Sequence, residues 1–226
     1  MTQPTALSRR DVLIRSAAGI SAAASYSWLT PAQAQTTAPK RGGTLVISWG
    51  GLEPQALYVP GGGGSAPYQT STKILERLLR IDDKLQFQPV LAESVTPSAD
   101  FKQYTIKLRQ GVKWHDGKDF TAQDVVYNAL QHWKPVSAGI ALKSLADAKA
   151  VDSHTVLLTF STPVPEFFLK STLAGAYQLV LPRHLYEGKD IITNPANNTP
   201  VGTGPWKYGQ WVRGSHVQYQ RNEQYW

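Results

Sequence analysis

The run Tyr104-Thr-Ile-Lys-Leu-Arg-Gln-Gly-Val-Lys-Trp-His-Asp-Gly117 carries the clearest structural instruction in the chain. Tyr104, Ile106 and Leu108 alternate with Thr105, Lys107 and Arg109, the period of two expected of a strand with one buried face. Val112-Lys-Trp-His115 follows, and Asp116-Gly117 is a turn dipeptide. Thr121 then opens a helix, with Asp124 three residues on as its capping-box partner. Val125, Val126, Ala129, Leu130 and Trp133 supply that helix with a buried stripe, and Pro135 ends it. A strand, a hairpin and an amphipathic helix in succession predict a mixed α/β (α+β) fold.

The flanking sequence agrees. Gly43-Thr-Leu-Val-Ile-Ser-Trp49 reads as a first strand, followed by a Gly/Pro-rich crossing that contains four consecutive glycines, Gly61 to Gly64. Thr70–Arg80 has apolar residues at helical spacing (Ile74, Leu75, Leu78, Leu79), and Glu76 lies four residues before Arg80. Gln86–Glu93 leads into extended chain. Lys149–Val151 and Thr155–Phe160 form a strand pair turned by Asp152-Ser153-His154. Pro165 suits the first turn of a helix carrying Phe167, Phe168 and Leu169. Leu179-Val-Leu-Pro182 leads toward His184–Tyr186, Glu187–Asn198 is the loosest segment, and Trp206–Val212 with His216–Arg221 closes the chain as a final strand pair.

The first 34 residues read as an address. Ser8-Arg9-Arg10-Asp-Val-Leu-Ile14 fits a twin-arginine export signal, with Ile14 where lysine and Val12 where phenylalanine are usual. The apolar stretch Ser16–Leu29 is shorter than the about 20 residues that span a bilayer. Ala32-Gln33-Ala34 gives a small-x-small cleavage site, so the mature protein is expected to begin at Gln35. Loss of that segment, which holds three arginines and one aspartate, lowers the net charge from +7 to +5. The basic residues are spread along the chain, with no aromatic-interleaved patch for nucleic acid. There is no cysteine, hence no disulfide framework, thiol chemistry or lipid-anchoring cysteine. A soluble periplasmic protein is the simplest reading.

Catalytic and cofactor chemistry finds little to stand on. Gly61–Gly64 is followed by Ser-Ala-Pro rather than the Lys-Ser/Thr of a phosphate loop, and Gly202-Thr-Gly204 lacks the third glycine of a dinucleotide fingerprint. The five histidines are scattered, with no pair at helical spacing and no thiolate, so no metal or other cofactor is expected. No Gly-x-Ser-x-Gly elbow is present. Asp116, Asp119 and Asp124 cluster in sequence, but turn and capping roles account for Asp116 and Asp124. Trp114 is read as packing under its hairpin rather than touching a ligand.

Four stretches taken together identify a family. Leu108-Arg-Gln-Gly-Val-Lys-Trp-His-Asp-Gly117, Thr121-Ala-Gln-Asp-Val-Val126, Pro200-Val-Gly-Thr-Gly-Pro205 and Arg221-Asn-Glu-Gln-Tyr-Trp226, in this order and spacing, resemble the family 5 extracellular solute-binding proteins over residues 40–226. The resemblance implies a periplasmic binding protein type II-like fold, present in part because such receptors are much longer than this chain. It divides the chain into an export signal (1–34), a first large-lobe segment (35–57), a small N-terminal subdomain (58–179) and a second large-lobe segment (180–226). It implies capture of a peptide or similar small solute between two lobes, delivery to the permease subunits of an ABC importer, only peripheral contact with the membrane complex, and no enzymatic step. It also implies ligand contacts from the crossing after the first strand, at Trp49, Gly50, Gly51, Tyr58, Gly61 and Gly62. Glycines there admit close backbone approach, and Trp49 and Tyr58 offer amphipathic rings. Glu53-Pro54 stands where the family has Asp-Pro. The same composition also suits a plain surface loop, and a secreted hydrolase or a non-functional truncated product stay open as alternatives.

Overall fold

The computed structural model describes residues 42–48, 51–62, 64–136 and 140–226, which places the export signal outside the described residues. The chain divides into two units between Ser48 and Trp49. In the first, residues 42–48 form neither strand nor helix, and Leu45, Val46 and Ile47 are exposed. The first strand expected at Gly43–Trp49 is therefore not formed. Its apolar, β-branched composition suits a strand, but a strand needs a neighbouring ladder for its N–H and C=O groups, and residues 42–48 have none among the described residues.

The second unit begins with helix α1 (Ser65–Ser71) and the short antiparallel pair β1 (Leu79–Ile81) and β2 (Phe87–Pro89). Strands β3 (Ala92–Pro97), β4 (Gln103–Leu108), β5 (Leu145–Asp152) and β6 (Thr155–Phe160) make an antiparallel sheet in the order β3-β4-β6-β5. Helix α2 (Ala122–Tyr127) continues into a π-helical turn, Asn128–Trp133. Helices α3 (Glu166–Leu173) and α4 (Arg183–Tyr186) follow, and β7 (Trp206–Val212) pairs with β8 (His216–Arg221).

Period-two alternation in β4 turns Tyr104, Ile106 and Leu108 inward, and the register sets Tyr104 opposite Leu158 and Ile106 opposite Val156. Helix α2 starts in the expected capping box, with Thr121 N–H donating to Asp124 Oδ2 at 2.9 Å. Its stripe of Val125, Ala129 and Trp133 is fully buried over β5 and β6, and the Trp133 indole donates to Leu179 O at 3.0 Å. Two aromatics of α3 depart from expectation. Leu169 is buried, but Phe167 and Phe168 are exposed, Phe167 meeting Phe87 and Phe168 edge-on. Nor is Glu187–Asn198 loose. Asn194 caps a 3-10 turn at Pro195–Asn197, and buried Asn197 accepts from Tyr186 Oη at 2.9 Å while donating to the carbonyls of Ile191 and Ile192.

The largest departure is at Thr70–Arg80. Helix α1 stops at Ser71, residues 72–78 run as turn and irregular chain, and β1 begins at Leu79. Ile74, Leu75 and Leu78 are buried as expected, but by a different partner. The Gly202-Thr-Gly204 turn lies directly on this backbone: Gly204 N–H donates to Ile74 O at 2.9 Å and Trp206 N–H to Lys73 O at 3.2 Å. A Cβ on Gly202 would fall 1.8 Å from Ile74 O, so only glycine permits the approach. Glu76 does not face Arg80. Its buried carboxylate accepts from Thr203 Oγ1 (2.8 Å), Tyr225 Oη (2.8 Å) and Trp226 Nε1 (3.2 Å). Burial pushes the Glu76 carboxyl up, while those three bonds and nearby Arg109 pull the other way.

Three of the four stretches that carry the family resemblance meet at this junction, while Thr121–Val126 bonds to Arg183 instead. His115 N–H donates to Gly202 O at 2.8 Å and its Nε2 bonds Gly204 O at 2.9 Å. Asn222 donates to Gly204 O and Pro205 O. Arg109 lies over the Trp226 ring, 4.4 Å from its centroid. Asp124, beyond capping α2, accepts from the Arg183 backbone at 3.0 Å. Trp114 sits beneath the hairpin, 2% exposed, edge-on to Phe120 and His184. Its indole N–H is buried with no acceptor among the described residues, which leaves packing as its contribution. Trp114→Ala is expected to cost about 3–5 kcal/mol, the range for truncating a buried aromatic. Chemical denaturation measures it, and a loss under about 0.5 kcal/mol, typical of surface positions, would reopen Trp114 as a ligand contact.

Candidate binding surface on the glycine-rich crossing

Of the crossing residues singled out from sequence, Trp49 and Gly50 lie outside the described residues, and the structure describes Gly51, Tyr58, Gly61 and Gly62. It does not bring these four to one point. Gly51 is exposed near the start of the segment, beside the exposed Leu52. The chain then dives inward, so that Leu57 and Tyr58 are buried. Backbone and side-chain bonds hold it there: Tyr58 N–H donates to Asn197 O at 2.9 Å, and Thr70 Oγ1 on α1 donates to Leu57 O at 2.7 Å.

Tyr58 ends in a buried polar chain. Its hydroxyl donates to His132 Nε2 at 2.6 Å, and His132 Nδ1–H in turn donates to Asn128 Oδ1 at 3.0 Å. Asn128 completes the chain by donating to Asp124 O and Leu181 O and accepting from Leu181 N–H. Asn128 sets this direction: its Oδ1 can only accept, so His132 Nδ1 carries the proton and Nε2 accepts from Tyr58. Burial, and secondarily Tyr186, holds the Tyr58 phenol well above its ordinary range, so it keeps its proton. Burial lowers His132 to about 3, so its ring is neutral. The Tyr58 ring thus forms wall rather than protruding surface, and its hydroxyl is committed inward.

Gly61 and Gly62 return the chain to the surface. Gly61 has φ +76°, and a Cβ there would lie 2.7 Å from Val136 O, so the turn requires glycine. Gly62 borders a slight depression, about 10 Å³ and so roomy enough for about one water molecule, lined also by Tyr58, Val59, Pro67, Tyr68, Tyr177 and Leu179. Sequence reasoning missed Tyr68 and Tyr177. Tyr68 lies on α1 where no helix was expected, and Tyr177 follows the Gly175 turn. Arg77 donates to Ala174 O at 2.9 Å and reaches Tyr68 Oη at 3.4 Å. The lining carries no charged side chain. It can receive apolar or aromatic surface and offer backbone groups, but it assembles no nucleophile–base pair. The close pair His184–Asp116 (2.6 Å) lies elsewhere, tying α4 to the hairpin. Among the described residues no cluster of three metal-ligating side chains occurs, and no helix is long and apolar enough to cross a membrane.

Comparison with known proteins places these features in context. Residues 86–226 match the family described as bacterial extracellular solute-binding proteins, family 5 middle. The oligopeptide-binding protein AppA of Bacillus subtilis is 28% identical over 229 residues, which span 98% of this chain and 41% of AppA. The glutathione-binding protein GsiB of Escherichia coli K12 is 33% identical over 153 residues, 66% of this chain and 29% of GsiB. The structure of B. subtilis AppA in complex with a nonapeptide superposes on 76% of this chain with a TM-score of 0.67 at 26% identity, using 35% of AppA. That of NikZ from Campylobacter jejuni in complex with Ni(L-His) covers 68% of this chain and 31% of NikZ, with a TM-score of 0.61 at 30% identity. The chain spans about two fifths or less of each relative.

The polar chain behind Tyr58 has a pH signature. His132 binds its proton about 3 in the folded chain against roughly 6.5 when unfolded. Its contribution is therefore fully present above pH 6.5 and is lost as pH falls toward the folded value. Across that window the folding constant should drop by up to about tenfold per pH unit through this group. Denaturation curves from pH 7 to 4.5 for the native chain and His132→Gln measure the difference. Parallel pH profiles would show that His132 is not buried as a neutral ring.

Proposed function

Because the chain belongs to the family 5 bacterial extracellular solute-binding proteins, we propose that it forms one wall of an exported receptor for an oligopeptide or similar small solute, which it hands to the permease of an ABC importer. Proteins of this family bind solutes rather than transform them. The peptide reading draws on AppA, the relative aligned along 98% of this chain. Glutathione for GsiB and Ni(L-His) for NikZ mark how widely the ligand varies among relatives. Export rests on the Arg9-Arg10 signal and the Ala32-Gln33-Ala34 site, and leads to a periplasmic location. The proposed division remains 35–57 and 180–226 for the large lobe, with 58–179 as the small subdomain.

One observation carries the placement of the solute. The crossing is pinned at Leu57 and Tyr58, and its end, at Tyr58, Val59 and Gly62, borders a slight uncharged depression beside Tyr68 and Tyr177. A pinned, glycine-rich backbone suits a ligand held by main-chain groups, because little ordering is needed when it binds. The proposed contacts are Trp49, Gly50, Gly51, Gly61 and Gly62, with Tyr58 as buried backing. Closure of a second lobe over this wall would bury most of the solute, as tight binding requires.

The 226-residue chain by itself supplies one wall, so it should bind peptides no more tightly than about 1 mM, or roughly −4 kcal/mol. Titration calorimetry against a mixed di- to pentapeptide library tests this. A micromolar complex would place the binding energy within these residues alone and overturn the two-lobed reading.

A further inference from the structure

The tip of the β7–β8 hairpin holds the outer half of the crossing. Arg213 is the first residue beyond β7, and its guanidinium donates from Nη1 to Pro54 O and from Nη2 to Gln55 O, both at 3.2 Å. The guanidinium carbon also lies over the Trp211 ring, 3.4 Å from its centroid. Two carbonyls from adjacent residues are gripped by one planar fork, and the indole packs against that fork. Lysine cannot reproduce the fork, since its ammonium is a point donor on a flexible stem. Among the described residues these two hydrogen bonds reach residues 51–56, whereas the inner half is fixed through Leu57 and Tyr58. The two carbonyls belong to the segment where Glu53-Pro54 replaces the family's Asp-Pro.

We propose that Arg213, braced by Trp211, is a positioning residue for the solute wall: it sets the path of Gly51–Gln55 and so the placement of the backbone groups that face the ligand. Arg213 does not itself touch the solute. The inference rests on the reading of the crossing as one wall of the site, and its test separates the two.

Limited proteolysis followed by mass spectrometry on the 226-residue chain reads the brace without any ligand. In Arg213→Lys and Arg213→Ala, thermolysin should cut before the exposed Leu52 about threefold to fivefold faster, the scale of an exposed charge contact, with the global unfolding midpoint unchanged. Unchanged cleavage in both variants would overturn the brace and leave the wall reading intact. In a receptor extended to the length of its relatives, affinity for the same di- to pentapeptide library should fall by a similar factor in Arg213→Lys. Faster cleavage with unaltered affinity would mean that the crossing is braced but is not a solute wall, and would overturn both statements.

Discussion

The close seating of Gly202-Thr-Gly204 on the backbone of Lys73 and Ile74 is the constraint on which the rest of this structure depends. Two short backbone bonds and a glycine with no room for a Cβ bring segments about 130 residues apart in the chain into direct contact. Burying the Glu76 carboxylate there is costly in itself, because a charge leaves water. Three donors offset that cost, Thr203 from the turn and Tyr225 with Trp226 from the residues after β8. The carboxylate therefore acts as a checkpoint on assembly, since it is satisfied only when the turn and the residues after β8 are both in place. Losing one donor would leave a buried acceptor underused, which typically costs more than the bond itself is worth.

From this junction the positions of the remaining parts follow. His115 couples the turn to the Trp114 hairpin, and Asp116 couples that hairpin to α4 through His184. Asp124 and Asn128 tie α2 to Leu181 and Arg183. The Asn128–His132–Tyr58 chain then transmits that order to the base of the crossing. The motifs shared with the family thus build the frame, and the glycine-rich crossing is presented by it.

Much of this was legible in the sequence wherever local chemistry decides the outcome. The alternation of β4, the Thr121–Asp124 capping box and the limits of β7 and β8 all follow from residues within a few positions of each other. Failures fall where a distant partner decides. Ile74, Leu75, Leu78 and Leu79 satisfy a helical period, yet the carbonyls of Lys73 and Ile74 are taken by a turn near residue 204, so the chain bends instead of coiling. Phe167 and Phe168 share a helix with Leu169 but point away from the core, which no count of apolar residues reveals. The polar run Glu187–Asn198 reads as loose until Asn194 and Asn197 are seen turned inward, bonding their own loop. For the candidate wall, glycine content marked the segment, whereas Tyr68, Tyr177 and Arg213 reach it only through tertiary contacts.

The most direct test of the junction is the stability of Gly202→Ala beside Gly111→Ala. A Cβ at position 202 meets Ile74 O at 1.8 Å, whereas at Gly111, with φ +74°, nothing lies within 4 Å. Gly111→Ala should cost only the conformational penalty of a left-handed residue, about 1–2 kcal/mol. Gly202→Ala must push the turn off residues 73–76 and should cost more than about 4 kcal/mol, leaving little folded chain by denaturant titration. Equal, small losses for both variants would contradict the claim that this contact organises the fold.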